Sequence, residues 1–267
     1  EIWVNGKRVD NLSEKERSEL RGKIVGAIFQ DPLTSLNPLF TVGEQLVETI
    51  VTHRSLSEKE AREEAIELLK KTGIPAAEKR IDDYPHQFSG GMRQRVVIAL
   101  ALAGDPKLVI ADEPTTALDV TVQAQILDLL RSIQQKLGTA TVLVSHDLGV
   151  VARAADRVAV MYAGRIVEIG TAEEVYYDPR HPYTWALLRA LPALARHGEP
   201  LYTIPGMPPT LIDPPAGDAF AARNEYALAI DYREAPPMFQ ITDTHFAATW
   251  LRAPKVAPPL GGLRHEG

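Results

Sequence analysis

The sequence contains no cysteine. That excludes disulfides, thiolate metal sites and a thiol nucleophile, and it suits a reducing compartment. An excess of positive charge is also missing: 29 Lys and Arg stand against 35 Asp and Glu, a formal net charge of -6. A general nucleic-acid-binding surface needs the opposite balance, because it has to neutralise phosphates. No stretch reaches the roughly 18–20 consecutive apolar residues that span a bilayer. The first residues, Glu1-Ile2-Trp3-Val4-Asn5-Gly6, have no basic segment leading into a long apolar one, so they do not read as a signal peptide. They read as a strand running into a turn at Asn5-Gly6, and a chain that opens inside a strand is expected to be a fragment. What is present is ordinary for a globular protein, with 45% hydrophobic and 24% charged residues. Its 267 residues suffice for one large core with an appended piece, or for two modest domains.

Short apolar runs alternate with helical patterns over the first two thirds. Ile24–Phe29, Leu108–Ala111, Thr141–Val144 and Val158–Met161 read as buried strands. The last is followed by a turn at Ala163-Gly164 and a further strand from Arg165 to Ile169. Their near-continuous hydrophobicity predicts a parallel sheet covered on both faces. Ser57 and Glu60 form a capping box, after which Ala61, Ala65, Leu68 and Leu69 share one helical face that ends at Gly73 and Pro75. After Asp119, Val122, Ile126, Leu129, Leu130, Ile133 and Leu137 make a second amphipathic helix, stopped at Gly138. This order is an α/β signature. Beyond about Pro179 prolines crowd the chain, at 192, 200, 205, 208, 209, 214 and 215. That composition predicts an extended connector and a small irregular C-terminal module.

Four features carry chemistry. Asp112 and Glu113 sit at the C-terminal end of the run Leu108–Ala111, where open α/β sheets bind ligands. One carboxylate can hold Mg²⁺ while the other orients or polarises a water; two ordinary acids at a solvated strand end would look the same. Ser89-Gly90-Gly91 opens the helix Met92–Leu102, and orphan N–H groups at a helix start favour an anion. A plain Ser N-cap with loop glycines has the same pattern. His146 ends the strand Thr141–Val144, and Gln30 ends Ile24–Phe29. Neither residue is informative alone.

Taken in order, these residues resemble the ATP-binding subunit of ABC transporters, over the span from the first residue to about Gly170. Gln30 matches the Q-loop, Ser89 to Gln94 the signature motif, and Asp112 with Glu113 the Walker B acid and catalytic carboxylate. Thr116-Ala117-Leu118-Asp119 is similar to the D-loop, and His146 to the switch histidine. The resemblance implies a P-loop NTPase-like α/β core with a mixed or parallel sheet (1–41 and 106–177). It also implies an inserted helical subdomain (42–105) and an irregular C-terminal extension (178–267). ATP and Mg²⁺ are the implied cofactors. Gln30, Ser89, Gly90, Gly91, Gln94 and Asp119 would contact the nucleotide, Gln30 and Asp112 would serve the metal, and Glu113 and His146 would be catalytic.

The implied partners are a second ATP-binding subunit in a head-to-tail dimer, two transmembrane permease subunits and, indirectly, an extracytoplasmic substrate-binding protein; nucleic acid is not among them. The implied location is peripheral, on the cytoplasmic face of the cell membrane. Gln30-Asp31-Pro32-Leu33-Thr34-Ser35-Leu36-Asn37-Pro38 and His181-Pro182-Tyr183-Thr184 are similar to the dipeptide and oligopeptide importer branch. Nickel is the alternative cargo. Soluble ABC ATPases of DNA repair or translation are disfavoured, since the chain has neither a long coiled-coil insertion nor tandem cassettes.

Two departures matter. No G-x-x-x-x-G-K-[ST] run exists, for Gly6-Lys7 precedes Arg8 and Gly22-Lys23 precedes Ile24. The expectation is a chain that hydrolyses ATP negligibly by itself, with a non-catalytic subunit offering only its signature motif as the alternative. Many members of the branch also carry four cysteines suited to an iron–sulfur cluster; here Asp218, Asn224, Asp231 and Thr249 fall at those places. No thiolate-ligated cluster can form. Asp218, Asp231 and His245 could instead hold another metal or simply make a solvated polar turn.

Overall fold

A computed structural model describes residues 1–4, 6–116, 118–191 and 201–251. Asn5, Ala117, Pro192 and Pro200, which entered the reading above, lie outside the described residues. The chain divides into two compact units, Glu1–His146 and Asp147–Gly267.

In the first unit, β1 (Trp3–Val4) and β2 (Lys7–Arg8) form an antiparallel pair. Then come α1 (Glu14–Leu20), β3 (Val25–Ile28) and the short α2 (Pro32–Ser35). The helices α3 (Val42–His53), α4 (Glu58–Lys71), α5 (Ala77–Arg80) and α6 (Gly90–Leu102) follow without an intervening strand. The unit closes with β4 (Leu108–Asp112), α7 (Val120–Leu137) and β5 (Ala140–Val144). Local chemistry explains the boundaries. Ser57 caps α4 through the amide of Glu60, and the Glu60 carboxylate returns to the Ser57 amide at 2.9 Å. Gly138 ends α7 in the left-handed conformation, φ 65°.

The strands β3, β4 and β5 pair in parallel in that order, in unbroken register from Leu108↔Ala140 to Asp112↔Val144. One face of this sheet is buried. Ile28, Val109 and Ala111 pack into a core with Leu46 and Ile50 of α3, Leu68 of α4, Ile98 of α6 and Ile126 of α7. Gly26 lets β3 lie against α6, since a Cβ there would stand 2.3 Å from the Ala101 carbonyl oxygen. The opposite face corrects the expectation of two covered faces: among the described residues Phe29, Ile110, Val142 and Val144 are exposed.

In the second unit α8 (Leu148–Ala154) leads into β6 (Arg157–Tyr162) and β7 (Arg165–Thr171). These two are antiparallel, so the run Val158–Met161 does not join the parallel sheet. Positive φ at both Ala163 (48°) and Gly164 (76°) makes the two-residue turn that closes the hairpin. After α9 (Ala172–Tyr177) and α10 (Pro182–Arg189), β8 (Phe239–Gln240) and β9 (Phe246–Ala247) add to the same sheet, in the order β6-β7-β9-β8. The C-terminal module is thus knitted to the hairpin by backbone pairing. Its fully buried Glu168 accepts from the amides of Arg180 (2.6 Å) and His181 (3.1 Å) and meets His245 Nε2 at 2.7 Å. A buried carboxylate needs such partners to offset its lost hydration.

Candidate functional site

Three parallel strands ending side by side deliver three side chains to one place. Gln30 lies two residues past β3, Glu113 one past β4 and His146 two past β5. The Glu113 carboxylate is the hub: Gln30 Nε2 donates to Oε2 at 2.8 Å, Thr116 Oγ1 donates to the same oxygen at 2.9 Å, and His146 Nδ1 lies 2.8 Å from Oε1. The Glu113 amide donates to the Val144 carbonyl at 2.9 Å, which fastens the strand end to its neighbour. Glu113 itself has φ 45°, a backbone that a non-glycine residue rarely adopts. This turn takes its side chain out of the strand's alternation and toward Gln30 and His146. His146, then Thr116, hold the Glu113 carboxyl below the usual carboxylate range.

Asp112, the last residue of β4, points to the open face shared with Ile110 and Val144. Its carboxylate makes no hydrogen bond or ion pair among the described residues, so its lone pairs face solvent. The structure therefore gathers Gln30, Glu113 and His146 and places Asp112 beside them.

Ser89 N-caps α6, accepting from the Met92 amide at 3.4 Å. Ser89 and Gly90 are exposed, and nothing stands within 4 Å of where a Gly90 Cβ would be. Gly91 has a packing reason: a Cβ there would sit 2.7 Å from Val122 Cγ1 in the first turn of α7. Asp119 is the N-cap of α7, accepting from the Val122 amide at 3.0 Å. Gln94 departs from the expectation of nucleotide contact. Its side chain is 1% exposed and its Nε2 has no hydrogen-bond partner, because position 94 faces the core of the helices.

The first 116 residues match the family model described as ABC transporter. Residues 167–230 match the model described as oligopeptide/dipeptide transporter, C-terminal region. The oligopeptide transport ATP-binding protein OppD of Bacillus subtilis is 58% identical over 263 residues, covering 97% of this chain and 74% of that protein. The chain belongs to the ABC transporter ATP-binding subunits, in their oligopeptide and dipeptide branch. The dipeptide transport ATP-binding protein DppD of Lactococcus lactis is 53% identical over 262 residues, covering 97% of this chain and 75% of that protein. Among solved structures, the ATP-binding cassette MJ0796, a dimer bound to ADP and Pi, superposes with a TM-score of 0.56 at 29% identity. It covers 64% of this chain and 72% of that one. Within this ABC subunit Thr116 entered the motif reading only as the first residue of the D-loop match; its hydrogen bond to Glu113 was not foreseen, because a hydroxyl three residues after a strand-end Glu is too common a signal to single out.

Asp218, Asn224, Asp231 and Thr249 are buried rather than solvated. Asp218, Asn224 and Thr249 each accept the amide two residues on, from Phe220, Tyr226 and Leu251 at 2.9–3.1 Å. Asp231 accepts from the Leu228 amide at 2.6 Å. The expected solvated turn is thus corrected to a buried one in which side chains satisfy backbone donors. Asp218, Asp231 and His245 do not gather into a metal-binding group among the described residues.

Proposed function

We propose that this chain energises the import of peptides as an ATP-hydrolysing subunit, with Glu113 acting on the attacking water. The observation that carries the reading is the convergence of Gln30, Thr116 and His146 on one carboxylate at the carboxyl edge of a parallel sheet. A carboxylate kept ionised and aimed by three donors suits the polarising of water. Mg²⁺, a hard cation that takes oxygen ligands, fits the solvent-facing carboxylate of Asp112 with the amide oxygen of Gln30 completing the pair. His146 would contact the γ-phosphate. Ser89, Gly90 and Gly91, at the open start of α6, suit the γ-phosphate of a partner's ATP, while Asp119 acts by setting the start of α7. Gln94 supports this helix from within the core.

Residues 42–105, helical throughout their regular elements, are the surface offered to two permease subunits, and a second ATP-binding subunit completes the pair. Attachment to the cytoplasmic face of the membrane runs through the permeases; no helix among the described residues is long and apolar enough to cross a bilayer. A substrate-binding protein on the far side would feed the permeases. The peptide-transport names of the relatives favour peptides over nickel. These 267 residues hold no phosphate loop, so the chain by itself hydrolyses ATP negligibly.

The test reconstitutes the chain in vesicles with permeases and a second subunit that bears a phosphate loop, and follows ATP hydrolysis and uptake of a labelled tripeptide. Glu113→Gln is expected to lower hydrolysis about 10²-fold or more while bound ATP is retained. Unchanged hydrolysis in that variant would remove Glu113 from the chemistry. Brisk hydrolysis by the chain alone would overturn the need for a phosphate loop supplied by other residues.

A further inference from the structure

The start of α6 is fastened to its neighbours at two successive turns. The first fastening is steric: Gly91 lies so close to α7 that a Cβ there would stand 2.7 Å from Val122 Cγ1. The second is polar and falls one turn further on. Arg95 Nη2 donates to Gln125 Oε1 of α7 at 3.1 Å, and Arg95 Nη1 donates to the Thr72 carbonyl at the end of α4 at 2.8 Å. Residues 91 and 95 are four apart on α6, and residues 122 and 125 three apart on α7, so each pair shares one helix face.

The Thr72 carbonyl is well suited to this contact. Thr72 is the C-cap of α4 and fully buried, and its hydroxyl donates to the Leu68 and Leu69 carbonyls at 3.1 Å. A cation at a helix C-terminus satisfies a carbonyl that the helix leaves unpaired and suits its dipole. Gly73 leaves the room, since a Cβ on it would stand 2.7 Å from Arg95 Nη1. Both acceptors of Arg95 are neutral oxygens, on two different helices. Such a bridge uses the planar fork of arginine, which lysine does not carry.

We propose that Arg95 is a positioning residue for the phosphate contact: it holds the turn Ser89-Gly90-Gly91 in place against α7 and α4, ready for the γ-phosphate of a partner's ATP. The inference rests on the reading of Ser89, Gly90 and Gly91 given under the proposed function. Ser89 and Gly90 are exposed. Two successive glycines make the first turn of α6 the part least stiffened by its own backbone, so its place is set from the next turn, where Arg95 sits. Donors fixed before the ligand arrives lose little on meeting it.

The experiment uses the vesicle assembly of this chain with permeases and a second subunit that bears a phosphate loop. ATP turnover gives KM and kcat, and ADP is added as a competitor. ADP lacks the γ-phosphate, so its inhibition constant reads the partner's phosphate loop and not the α6 turn. Arg95→Gln is expected to raise the KM for ATP about tenfold, the scale of a lost hydrogen bond from a charged donor, with the ADP constant unchanged. Gln125→Leu, at an exposed position, should raise it by less. Gln125→Glu keeps an acceptor oxygen and should keep the natural KM. If Arg95→Gln does not fold, the two Gln125 variants decide, and equal KM values in them overturn the proposal. So does an unchanged ATP KM in folded Arg95→Gln. A rise shared by ATP and ADP overturns it too, since that would assign Arg95 to fold or assembly alone. A natural assembly that turns over ATP while the variants match it sinks this inference only; a natural assembly that turns over no ATP sinks the import reading and this inference with it.

Discussion

Glu113 occupies a backbone conformation that costs on the order of 1–3 kcal/mol for a residue with a side chain. The return on that strain is geometric, because only the turn at 113 lets a carboxylate leave the strand and meet donors from β3 and β5. Gln30, Glu113 and His146 were legible in the sequence through their order, each just past an apolar run, and through the resemblance that this order carries. Thr116 stood there only as the first residue of the D-loop match, since its hydroxyl finds Glu113 only through that left-handed turn, which no residue pattern announces. Gln94 misled for a related reason: a polar residue in a motif reads as exposed, and the helix phase that buries it is set by packing. The hub makes a measurable prediction. Carbon-detected titration of the Glu113 carboxyl should give a midpoint below the ordinary 4.5. His146→Ala should raise it most and Thr116→Val less, following the order of their contributions. The sign is that of a depressed carboxyl: its stabilising contribution is complete above the ordinary value and is lost as pH falls. A midpoint that does not move in either variant would show that the hydrogen bonds are not made in solution.

At the scale of elements, apolar runs located every strand of the parallel sheet but not the fate of its faces. A run such as Leu108–Ala111 is hydrophobic on both sides, so it predicts cover on both, yet only the side carrying Val109 and Ala111 is covered among the described residues. β6 misled in the opposite way. Its burial alternates, with Val158, Val160 and Tyr162 inward, but Met161 on the outer side is apolar and disguises the period of two. The asymmetry of the parallel sheet sets different costs for similar residues. Ile126→Ala, at a fully buried position of α7, should cost about 2–5 kcal/mol in urea unfolding. Val142→Thr, on the open face, should change stability by no more than about 0.5 kcal/mol and should reduce binding of a hydrophobic dye. A large loss from Val142→Thr would mean that this face is covered in the free chain.

For the molecule as a whole, acid stability follows from where its buried titratable groups sit. His181 caps α10 through Nδ1, accepting from the Tyr183 amide at 3.0 Å, and burial pushes its pKa down to about 3. An unfolded histidine titrates near 6.5. The folded value is the lower one, so stability is complete above about 6.5 and declines as pH falls through that value. The carboxyl of Glu174 is held at about 2 chiefly by Thr242, and then by the Thr171 amide. Its contribution is lost only below the ordinary 4.5, so the interval between the two belongs to the histidine. Moving from pH 7.5 to 5 should remove about 2 kcal/mol of stability. His181→Asn keeps a capping acceptor without a titrating ring. Melting curves across that interval should therefore slope for the natural chain and flatten for the variant. Parallel slopes would mean that His181 is hydrated in the folded state and that the acid sensitivity lies in another group.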